Sequence, residues 1–100
     1  MQTNVDELSN AVVLFLGFGS ASSPRMDNEG LIQAFGKAGL RLESQVLSLI
    51  DEVSKFKVDW SKDSLESAGH MIHDEMHRRH PRLSNDALRA LAWKFTFDWR

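Results

Sequence analysis

"DNEGLIQAFGKAGLRLESQVLSLIDEVSKF" (Asp27–Phe56) is the longest stretch with one clear period. Leu31, Phe35, Ala38, Leu42, Val46, Leu49, Val53 and Phe56 recur three or four residues apart, close to a heptad stripe. That spacing places one apolar face along an α-helix and is incompatible with the two-residue alternation of a half-buried strand. Read as a single helix, it is about 40–45 Å long at ~1.5 Å per residue. Gly36 and Gly39 are where it can bend or break, each costing about 1 kcal/mol against alanine in a helix interior.

The flanking segments are also helical. A first helix is expected over roughly Asn4 to Phe18, with Thr3 or Asn4 as cap and Asp6 and Glu7 at the positive end of the helix dipole. Its second half, "AVVLFLGF" (Ala11–Phe18), is apolar nearly all round, the pattern of a helix covered on more than one side; a strand is the competing reading of so short a run. A third helix is expected from Ser61 or Asp63 to His80, stopped by Pro81. A fourth starts at the cap Ser84, with Leu83 packing on Leu88 and a stripe of Leu88, Leu91, Ala92, Phe95 and Trp99. "FTFDW" (Phe95–Trp99) also alternates at period two, so a short C-terminal strand competes there. The expectation is an all-α fold, one domain over residues 1–100, four helices arranged around the long second one.

Composition narrows the function classes. One hundred residues suit one domain, long enough to fold without staples. With no cysteine, a disulfide framework and a thiolate metal site are excluded, which fits a cytoplasmic home. A formal net charge of −2 gives no general attraction to nucleic acid. The apolar run at residues 11–18 is far short of the about 20 residues a membrane span needs, and the acidic start is a poor signal peptide. The chain reads as soluble and complete.

All four histidines lie in "HMIHDEMHRRH" (His70–His80). On a helical wheel Leu65, Ala68, Gly69, Ile72 and Met76 face the core, while Glu66, His70, His73, Asp74 and His77 share the adjoining edge. Two readings compete. His73 and His77 are i, i+4, with His70 and Asp74 one turn away, a donor set suited to zinc or nickel. "HDEMH" departs from the zincin motif, because Asp74 stands where the general-base glutamate belongs and no third ligand follows. The other reading is a solvated edge supported by neighbouring acids.

"GFGSAS" (Gly17–Ser22) lacks the third glycine of a dinucleotide loop and the Lys-Ser/Thr of a P-loop, and reads as a helix end with a turn. No carboxylate pair has diagnostic spacing, so no catalytic group is nominated. In the fourth helix Trp93 and Phe97 point away from the core stripe, flanked by Arg89 and Arg100. Either the first helix covers them, or they form an aromatic interface with a partner or a second copy, since Trp, Phe and Arg are enriched at interfaces.

"FLGFGSASSPRMDNEGLIQAFG" (Phe15–Gly36) and "HPRLSNDALRALAWKFTFDWR" (His80–Arg100), 43 residues together, resemble segments of small helical bacterial proteins, some of them immunity proteins that block a cognate toxin. The resemblance implies a cytoplasmic, non-catalytic binding protein and carries no site residues. An inhibitor of a nuclease is expected to be strongly acidic, and −2 is modest, so the toxin class stays open. The expected function is therefore protein binding without catalysis. The partner-binding candidates are Glu66, His70, His73, Asp74, His77, Arg89, Trp93 and Phe97. The alternative is a small metal-binding protein using His70, His73, Asp74 and His77.

Overall fold

The computed structural model describes residues 5–99, which form five α-helices: α1 Val5–Leu16, α2 Asn28–Phe35, α3 Ala38–Ser54, α4 Leu65–Arg79 and α5 Asn85–Asp98. The expected caps Thr3 and Asn4 and the flanking Arg100 lie outside the described residues.

The fold departs from a single long second helix. Gly36 takes a φ of +61° and its N–H closes on the Ile32 carbonyl at 2.8 Å, ending α2. That conformation is left-handed and favours glycine. The chain then turns back, because the first turn of α3 packs on the α2 backbone. A Cβ on Gly39 would sit 2.7 Å from the Leu31 carbonyl oxygen and 2.9 Å from the Ile32 Cα. The apolar period runs through both helices because both face one core, so periodicity alone could not reveal the break. Phe56 falls just past the end of α3.

The other termini follow from local chemistry. At the end of α1 the Phe18 and Gly17 N–H groups bond back to the Val13 and Leu14 carbonyls at 3.1 and 3.2 Å, a Schellman motif with Gly17 at φ +75°. The loop after it returns to the same helix end, where Arg25 N–H donates to Leu16 O and Asp27 N–H to Phe15 O. Asp27 caps α2 by accepting from the Gly30 N–H at 3.0 Å. Ser64 and Ser67 form a reciprocal capping box on α4, which therefore begins at Leu65, a little later than the spacing suggests. Ser84 caps α5, and both ends of the expected staple, Leu83 and Leu88, are buried.

Helix α5 is the centre of the assembly, packed against α1, α3 and α4. Ala87, Leu88, Ala90, Leu91, Ala92 and Phe95 are buried along it. They meet Val12, Phe15 and Leu16 of α1, the Leu42–Val46–Leu49–Val53 stripe of α3, and Ala68, Ile72 and Met76 of α4 in one core. Each large aliphatic side chain buried there stabilises the fold by about 1.5–3 kcal/mol relative to exposure. The one buried polar side chain among the described residues, Ser9, accepts at Oγ the Ser84 N–H at 3.0 Å, joining α1 to the start of α5.

The C-terminal segment is helical as far as Asp98, and no strand occurs among the described residues. Trp99 is the C-cap residue just past the last helical turn, its ring 6.2 Å from that of Phe95 at the end of the stripe. It is 57% exposed and is not part of the core. No helix among the described residues is long and apolar enough to cross a membrane. The apolar run of α1 is instead spent on the core.

Candidate functional site: the α4–α5 groove

Pro81 stops α4, and the short turn before Ser84 sends α5 back antiparallel beside it. A groove of about 490 Å³ lies between them. It gathers six of the eight nominated side chains: Glu66, His70, His73 and Asp74 from α4, Arg89 and Trp93 from α5. Two candidate surfaces that the sequence left separate are thus the facing walls of one concavity. His77 and Phe97 do not line it; His77 is exposed and Phe97 is 37% exposed.

Small side chains give the groove its depth. Gly69 lines the floor with Ala92 and Thr96, and a Cβ on Gly69 would meet the Thr96 methyl at 3.4 Å. Phe18, carried in by the turn after α1, sits edge-on to Trp93 at 5.5 Å between ring centres. Trp93 is half-buried, packed against the core and against the Phe18 ring two residues past the end of α1. The Arg89 guanidinium lies over the Phe18 ring, 5.6 Å from its centre.

The acidic edge of α4 makes only weak internal pairs. His70 Nε2 is 3.9 Å from Glu66 Oε1, and His73 Nδ1 is 3.4 Å from Asp74 Oδ1. The stronger contact of His73 is across the groove mouth, Nε2 to Asn85 Oδ1 at 2.7 Å. Both imidazole nitrogens of His73 therefore face protein partners. Among the described residues no three His, Asp or Glu side chains converge into a set that could hold a metal ion. His80, the fourth histidine, belongs elsewhere: its Nε2 is 2.9 Å from Glu52 Oε1 on α3.

Sequence reasoning missed the floor and the far wall. Gly69 and Ala92 read as core spacers, and nothing local to Phe18 shows that the loop delivers it to Trp93. It also missed an ionic clasp. Glu52, one of the carboxylates without diagnostic spacing, accepts from Arg79 Nη1 at 3.0 Å as well as facing His80. Burial raises the Glu52 pKa, but the hydrogen bonds from Arg79 and His80 outweigh it and hold the carboxyl below its ordinary value. Glu75 accepts from Arg78 and Arg79, and those bonds hold its carboxyl down at about 2. A second aromatic surface was missed too. Trp60, in the α3–α4 connection and 39% exposed, packs on Trp99 at 5.6 Å between ring centres.

A comparison of the chain with protein-family models, with curated proteins and with solved structures finds no match.

Proposed function

We propose that this is a non-catalytic protein-binding module and that the α4–α5 groove is its contact surface. The observation carrying this reading is the convergence of Trp93, Phe18 and Arg89 with the His/acid edge of α4 around one floor of small residues. Binding hot spots concentrate on large aromatics and arginine set in a hollow, because such residues contribute much contact area at low entropic cost. With the resemblance of Phe15–Gly36 and His80–Arg100 to immunity proteins, the partner class favoured is a bacterial toxin domain, which the chain blocks by occupying its surface.

The toxin to test is the product of the gene adjacent to this one in its host. Co-expressed with that toxin domain, the wild-type chain is expected to restore growth and to co-purify with it. Gly69→Leu, which fills the floor, and Trp93→Ala, which removes the wall, are each expected to abolish both effects. Trp99→Ala, an equally large deletion outside the groove, is expected to retain them. Rescue by all three variants alike would remove the groove from the interaction.

A further inference from the structure

The chemistry of the two walls specifies what the groove takes. Its lining carries two carboxylates, Glu66 and Asp74, and one permanent cation, Arg89. Counting outward from the turn, α5 presents Asn85, Arg89, Trp93 and Thr96, while α4 presents Asp74, His73, His70 and Glu66. The antiparallel pair therefore sets Arg89 toward the Asp74 end and leaves Glu66 beside Trp93 and Thr96. At that end the His70 imidazole lies 3.9 Å from the carboxylate. The floor between is apolar, made by Leu65, Gly69 and Ala92. Long basic side chains match this combination, lying their methylene stems on apolar surface while the charged head reaches a carboxylate. Arg89 supplies an internal precedent, since its guanidinium already rests on an aromatic ring in the same groove.

We infer that the groove's anchor is a lysine or arginine side chain of the partner protein, its stem on the Gly69–Ala92 floor and its cationic head at Glu66. This rests on the reading of the groove as a protein-binding surface. A carboxylate-bearing segment meets Glu66 as a like charge and is rejected, so the groove discriminates by charge as well as shape.

The test is a titration of the ¹⁵N-labelled full chain, read by NMR, with three probes: the blocked peptides acetyl-Ala-Leu-Arg-Leu-Ala-amide and acetyl-Ala-Leu-Glu-Leu-Ala-amide, and acetyl-arginine methylamide alone. The arginine peptide is expected to move the Trp93 indole N–H and the Gly69 amide, more weakly as salt rises. The glutamate peptide is expected to leave them in place. Glu66→Gln is expected to weaken the arginine peptide roughly fivefold, the upper range for an exposed ion pair. Glu29→Gln, on exposed α2 surface, is expected to change nothing. Equal binding of the two peptides, no response from either, an unaffected Glu66→Gln, or shifts centred on Trp60 and Trp99 overturns the inference. Acetyl-arginine methylamide binding as tightly as the peptide overturns its protein source in favour of a small cation. The two levels separate in the toxin assay. Rescue lost in Trp93→Ala but undiminished in Glu66→Gln sinks the cationic anchor and keeps the groove. Rescue retained in Trp93→Ala and Gly69→Leu sinks the groove reading itself.

Discussion

Two helical glycines, Gly39 in the first turn of α3 and Gly69 inside α4, separate what a residue's type predicts from what its surroundings decide. By propensity alone, Gly→Ala stabilises a helix by up to about 1 kcal/mol at either position. At Gly39 the added methyl meets backbone, the Leu31 carbonyl oxygen at 2.7 Å and the Ile32 Cα at 2.9 Å, and neither can rotate aside. Overpacking of that kind costs about 1–3 kcal/mol and outweighs the propensity gain. At Gly69 the nearest neighbour is the tip of Thr96 at 3.4 Å, the edge of ordinary contact. Gly39→Ala is therefore expected to lower stability by about 2 kcal/mol and Gly69→Ala to leave it unchanged or raise it. Urea unfolding checks this: the midpoints move in different directions from wild type, or only the Gly39 variant moves, at constant slope. Both glycines look alike in sequence. Nothing in "KAGLR" or "SAGHM" says which one touches a neighbouring backbone.

Among elements, the link between α3 and the end of α4 is ionic: Glu52 with Arg79 and His80, and Arg79 onward to Glu75. Both carboxyls are held below their ordinary value of 4.5, Glu75 at about 2. A carboxylate so held contributes fully above its unfolded-state value, and the contribution fades as pH falls through the folded one. Stability is accordingly expected to decline from about pH 4.5 toward about pH 2 as these groups take up protons. Glu52→Gln removes its part of that dependence. The variant is expected to be less stable near pH 7 by at most about 1 kcal/mol, the value of a partly exposed pair, with the gap to wild type closing in acid. A gap that is constant with pH would show that Glu52 acts through packing and not through charge. The helices that carry these residues were legible from apolar spacing and caps such as Ser84. The clasp was not, because residues 52 and 79 meet only once the α3–α4 connection is folded.

At the scale of the molecule, the sequence showed an all-helical chain, its core stripes and the two chemically distinctive edges. It did not show that those edges face each other. That fact follows from the tight Pro81–Ser84 turn and from α5 lying centrally, in contact with α1, α3 and α4. The same arrangement has a dynamic consequence. Helix α4 rests chiefly on α5, and a hollow of about 550 Å³, lined by Ser48, Glu52, Met71 and Arg79 among others, opens between it and α3. An element held along one seam and one surface clasp opens at lower free energy than the helix at the centre of the core. Native-state hydrogen exchange is expected to find α4 amides such as those of Ile72 and Met76 exchanging through a partial opening, while α5 amides around Leu91 exchange only on global unfolding. Glu52→Gln is expected to speed exchange in α4 and leave α5 unchanged beyond the shift in global stability. Because α4 forms one whole wall of the groove, a ligand seated there must close the same opening. Saturation with a groove-binding partner is then expected to slow α4 exchange selectively, and equal slowing across all five helices would place the partner elsewhere.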